Sequence, residues 1–144
     1  MAKGRRIIID GLEDKQGRAL LVISALYHCH RQLFGIEILF IDVTSPAVRG
    51  AIDLLHWETG LAVRAVPEAR GHGVASLFEG ASLYAAIRFD SPDGLCAAEA
   101  AQSGVPLLLA FQFLSGSSTS EQVSLLRAAH DPAVFAQHLV ERMR

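Results

Sequence analysis

Short, continuous apolar runs alternate along this chain with longer stretches whose apolar residues recur every three or four positions. The runs Arg5–Ile9, Ile36–Val43, Leu61–Val66, Leu83–Phe89 and Val105–Phe111 predict strands. Arg5–Ile9 is apolar on both faces, the mark of parallel strands covered by helices, while Ile36–Val43 alternates and is β-branched. Between the first two, Ala19, Val22, Ile23, Leu26, Cys29 and Leu33 fall at helical spacing, and Gly35 stops the helix. Ser45-Pro46 predicts an N-cap with proline at the first helical position, opening a helix that buries Val48, Ala51, Ile52 and Leu55 and stops at Gly60. Gly71-His72-Gly73 leads a further helix through Leu77 and Phe78. Val123–Leu126 predicts a short sixth strand, and Asp131-Pro132 caps a closing helix carrying Val134, Phe135, His138, Leu139 and Met143. Strand and helix alternating throughout predict an α/β domain: a parallel sheet joined by right-handed crossovers.

Composition narrows this picture. The 144 residues make one domain, 1–144, with enough chain to bury a core. With 51% hydrophobic and 19% charged residues, the chain is not disordered. A net charge of −2 leaves no basic footprint, which argues against nucleic acid as the partner. No apolar run approaches the roughly 20 residues that span a bilayer. Cys29 and Cys96 have no CxxC partner and fit a reducing cytoplasm. The mean hydropathy of +0.30 is high for a lone soluble domain. Surplus apolar surface has two uses, contact with a missing second domain or a homodimer interface.

Familiar ligand fingerprints are absent. There is no GxGxxG after the first strand, no GxxxxGK[ST] and no GxSxG. His28-Cys29-His30 places two imidazoles two apart on a helix, facing different ways, so no metal is expected there.

Candidate chemistry gathers instead in the stretch Asp90 to Pro106. It leaves the fourth strand, breaks at Pro92 and Gly94, runs as an Ala-rich helix and stops at Gly104. In an open α/β sheet, loops at the carboxyl ends of strands hold ligands. A helix opening there favours phosphate through its free N–H groups and dipole. Glu99, about a turn and a half into the helix, can accept hydrogen bonds from sugar hydroxyls.

The order Asp93-Gly94-Leu95, Glu99-Ala100 and Gly104-Val105-Pro106 resembles the donor-binding signature of GT-B glycosyltransferases, in particular the group 1 retaining enzymes that use nucleotide-sugars. The resemblance implies a Rossmann-like three-layer αβα sandwich with a six-stranded sheet of order 3-2-1-4-5-6. It also implies that the chain is the C-terminal half of a two-domain transferase whose N-terminal acceptor domain is missing. Such a half binds a nucleoside diphosphate sugar, needs no cofactor or metal, and transfers no sugar by itself. By the same resemblance Glu99 contacts the donor ribose, the backbone of Gly94 and Leu95 meets the diphosphate, and His72 lies near the base or donor.

Two departures from the family pattern bear on the site. Family members carry a second Glu that would fall at Ser91; Ser91-Pro92-Asp93-Gly94 resembles a Ser-x-Asp-Gly variant instead. Where the family presents a basic turn after the first strand, this chain has Asp10-Gly11, a carboxylate expected to repel a diphosphate unless Lys15 or Arg18 offsets it. Both departures suit a rival reading, a non-catalytic interaction module on the same fold. A second rival is another Rossmann-like nucleotide binder such as an epimerase fragment.

Overall fold

In a computed structural model, residues 5–10, 16–67, 75–88, 96–111 and 119–144 are described, the side chains of 16, 88 and 111 excepted. Five strands, β1 (Arg6–Asp10), β2 (Glu37–Ile41), β3 (Ala62–Val66), β4 (Leu83–Arg88) and β5 (Leu107–Phe111), form one sheet in the order 3-2-1-4-5, every pairing parallel. Six helices accompany them: α1 (Gln16–Cys29), α2 (Pro46–Thr59), α3 (Ala75–Phe78), α4 (Ala97–Gln102), α5 (Ser120–Ala128) and α6 (Pro132–Met143). The expected sixth strand is corrected: Val123–Leu126 lies within α5. Thr119 and Gln122 form a reciprocal capping box there, each side chain accepting the other's backbone N–H, and commit the segment to helix.

Period-two alternation sorts the sheet residues between two cores. Ile7, Ile9, Ile38, Phe40, Leu83, Ala85 and Ile87 pack with α1, α2, α5 and α6. Ile8, Ile41, Tyr84 and Ala86 turn to the opposite face, against Phe78 of α3 and Cys96 and Ala100 beside and within α4. The result is three layers. The apolar positions expected on α1 are all buried, although the helix ends at Cys29 and Leu33 is carried by turns that reach Gly35.

Helix α2 begins and ends at the expected residues. Ser45 accepts the Val48 N–H, Pro46 takes the first helical position, and Gly60 closes the helix at φ 76 with its N–H on the His56 carbonyl. Asp131 likewise caps α6 through the Ala133 N–H. Among the described residues no helix is long and apolar enough to cross a membrane. Leu20, Phe34, Leu54 and Trp57 nevertheless remain largely exposed on or beside α1 and α2.

Candidate functional site

The chain passes from β1 outward to β2 and β3 by way of α1 and α2. It then crosses the sheet at α3 and builds outward in the other direction through β4 and β5. The strand order therefore reverses between β1 and β4, and their carboxyl ends border the crevice where ligands of open α/β sheets are held.

Asp10 is the last residue of β1, at this carboxyl edge. Two positions beyond Ile8, it points to the α3–α4 face and is 1% exposed. The Tyr84 hydroxyl donates to its Oδ2 at 2.5 Å, and the Cys96 backbone N–H donates to the same oxygen at 2.9 Å. That N–H also lies 3.1 Å from the Tyr84 oxygen, so the three groups close a triangle. Burial and the Asp10 charge beside it push the Tyr84 phenol up, which keeps the hydroxyl protonated and donating. Phe78 meets the Tyr84 ring edge to face at 5.9 Å. A buried carboxylate is costly unless hydrogen-bonded, and here two donors converge on one oxygen.

This changes the reading of Asp10. Rather than a loop carboxylate repelling a ligand, it is a core residue tying β1 to the start of α4. Cys96 is the N-cap of α4 but its side chain makes no capping bond. Asp10, from another element, supplies the acceptor at that helix start, so the Cys96 N–H is not offered to a ligand.

Helix α4 also begins later than expected, at Ala97, which puts Glu99 in its first turn. Glu99 is exposed while Ala100 beside it is fully buried, so the carboxylate stands on the solvent side of a helix held by its apolar side. Arg18 is half-buried in the first turn of α1, which opens at the same carboxyl edge. Lys15, His72, Ser91, Asp93, Gly94 and Leu95 lie outside the described residues.

One feature of this edge carries no signal in the sequence pattern. Asp42, just past β2, adopts φ 58 and donates its N–H to the Val66 carbonyl at 2.9 Å, extending the β2–β3 ladder by one bond. Asp is among the few non-glycine residues that adopt this conformation readily.

Elsewhere, a cavity of about 530 Å³ at the amino ends of the strands is lined by Arg5, Arg6, Glu37, Ser76 and Glu79, with Arg6 bridged to Glu37 at 2.6 Å. Another of similar volume lies between α1 and α6, beside His28 and Cys29. His28 is exposed and His30 half-buried, its Nδ1 2.9 Å from the Tyr27 carbonyl. No three His, Cys, Asp or Glu side chains among the described residues are grouped to hold a metal ion.

No family model matches the chain, and no curated protein does. Solved structures of similar fold include a full-length Trm10 in complex with SAH, at 12% identity and a TM-score of 0.44, covering 94% of each chain. They also include AviGT4, a glycosyltransferase of avilamycin A biosynthesis, at 15% identity and a TM-score of 0.43. That match covers 97% of this chain and 50% of AviGT4, so the chain spans half of that enzyme's length.

Proposed function

We propose that this domain binds a nucleoside diphosphate sugar in the crevice outside β1 and β4, as the donor half of a GT-B glycosyltransferase. The observation that carries the reading is the reversal of strand order between β1 and β4, with the exposed carboxylate of Glu99 on the first turn of the helix that opens beside it. In this reading Glu99 accepts the hydroxyls of the donor ribose. The backbone of Gly94 and Leu95 meets the diphosphate, Arg18 and Lys15 offset its charge, and Ser91, Asp93 and His72 border the donor. Sugar transfer then requires a second domain to bring the acceptor to the opposite side of the crevice.

The proposal is tested by titrating the protein with UDP, GDP, ADP and their sugar conjugates while amide shifts are followed by NMR. Saturable shifts centred on residues 94–99, weakened by Glu99→Ala, are expected, and the nucleotide giving them is the donor's. Absence of shifts at millimolar ligand overturns the reading.

A second reading, a non-catalytic module that uses the fold for assembly, is favoured by one observation. Asp10 already takes the N–H at the start of α4, which is therefore not offered to a phosphate.

A further inference from the structure

We infer that Asp10 is a positioning residue of the crevice: through Tyr84 and the Cys96 N–H it sets where α4 begins, and thereby where Glu99 stands. The inference rests on the donor-binding reading for its functional consequence, though not for its structural test.

Helix α4 is short and weakly capped by its own residues. The helix has six residues, too few to be stable by propagation alone. Its N-cap side chain, that of Cys96, makes no capping hydrogen bond. Its far end is fixed by backbone, with the Ser103, Gly104 and Val105 N–H groups on the carbonyls of Glu99, Ala100 and Ala101. Ala100 and Val105 anchor the buried side against Tyr84 and Ile8. At the near end, among the described residues, the triangle of Asp10, Tyr84 and Cys96 ties α4 to the sheet, beside the buried Cys96 side chain in the cluster of Ile8 and Tyr84.

Its two side chains come from neighbouring strands in fixed register, with Ile8 opposite Tyr84 and Asp10 opposite Ala86. Both therefore project from rigid sheet rather than from loop. A shift of the helix start along its axis would break the Cys96 bond and leave a buried carboxylate short of a donor, which is strongly unfavourable. Glu99 is three residues further on, so its Cα moves with that start. The Asp10 Oδ2 thus helps fix the start of α4, and with it Glu99, relative to the sheet.

Three variants test this: Asp10→Ala, Asp10→Asn, whose amide oxygen can replace Oδ2 as the acceptor, and Tyr84→Phe, which keeps the ring against Phe78. Amide hydrogen exchange is measured residue by residue, and the dissociation constant for UDP is measured alongside. Asp10→Ala should accelerate exchange at Cys96 and Ala100 about tenfold, Tyr84→Phe about threefold and Asp10→Asn less than about twofold, with β2 and α6 nearly unchanged. UDP binding should weaken about fivefold in Asp10→Ala and recover in Asp10→Asn.

Unchanged exchange at Cys96 and Ala100, or equal acceleration throughout the chain, overturns the inference. So does a UDP affinity in Asp10→Ala equal to that of a wild-type protein that binds UDP. If the wild-type protein binds none of UDP, GDP and ADP, the donor reading fails alone, and the exchange pattern still decides whether Asp10 fixes α4; if it binds GDP or ADP instead of UDP, that nucleotide replaces UDP in the affinity measurement. Should Asp10→Ala not fold, the graded effects of Asp10→Asn and Tyr84→Phe decide in its place.

Discussion

Two glycines ten positions apart, one within α2 and one at its C-cap, should respond to the same substitution with opposite signs. Gly50 is exposed in the helix interior, and a Cβ placed there meets nothing within 4 Å. Gly50→Ala should stabilise the protein by about 0.5–1 kcal/mol, the difference in helix propensity between the two residues. Gly60 sits at the C-cap with φ 76, and a Cβ there would stand 3.5 Å from Phe34, an ordinary contact. Sterics therefore contribute nothing, and the Gly60 N–H keeps its bond to the His56 carbonyl at 2.9 Å after substitution. What remains is backbone conformation. Holding alanine in the left-handed region costs about 1–2 kcal/mol. A stiffer unfolded chain returns about 0.4–1 kcal/mol, so Gly60→Ala should be destabilising by about 1 kcal/mol. With an unfolding entropy near 0.3 kcal/mol per degree for a chain of this size, the two variants should melt about 5 °C apart on either side of the wild type. Thermal melts followed by far-UV circular dichroism, with urea titrations for the free energies, measure this directly. A Gly60→Ala variant that melts at or above the wild-type temperature would refute the assigned backbone conformation at the end of α2.

Two further predictions follow from buried ionisable groups. Burial pushes the Cys29 thiol up to about 11, and Cys96 is only 2% exposed. Since the thiolate is the reactive form, neither cysteine should be alkylated by iodoacetamide near pH 8 in the folded protein, and both should be in urea; stoichiometric labelling without denaturant would contradict the packing. His138 holds the Ser124 hydroxyl at 2.8 Å between α5 and α6. Burial lowers its pKa below the ordinary 6.5; Arg142 acts in the same direction while Glu141 and Glu121 oppose it. The unfolded chain therefore takes up this proton before the folded protein does. Stability is fully present above about pH 6.5 and falls as the pH drops towards the folded midpoint. His138→Gln should flatten that part of the profile, and an NMR titration placing the His138 midpoint above the free value would overturn the assignment.

Much of the architecture is legible locally because its determinants are local. Ser45-Pro46 with Gly60, and Asp131-Pro132, mark helix ends through groups only a few residues apart, and both helices run as those residues imply. The buried face of α1 follows from spacing alone. Val123–Leu126 misleads because a short apolar run suits a strand as well as a helix; the arbitrating signal, Thr119 three residues before Gln122, lies just outside the run. Asp10 is different in kind. Its sequence neighbours, Gly11 and Glu13, suggest a solvated loop, while its partners Tyr84 and Cys96 are 74 and 86 residues away. Nothing in a local window distinguishes a core carboxylate from a surface one. The position of Asp42 in the left-handed region is equally invisible, and its N–H bonds to Val66, 24 residues away.

The central place of β1 has a consequence for how the chain is made. Ile7, Ile8 and Ile9 lie in β1, which is synthesised before the other strands of this sheet, and they are completely buried at the end. Yet the strand that covers their outer edge, β4, is synthesised some 74 residues later. At common elongation rates that is a wait of about 4–15 s. During it, one edge of a highly apolar strand has no native partner, while β2 and then β3 become available on the other. The growing polypeptide therefore passes through a half-sheet, β1-β2-β3 with α1 and α2, whose open edge is the future centre of the molecule. Nascent-chain aggregation and chaperone capture would concentrate in that interval.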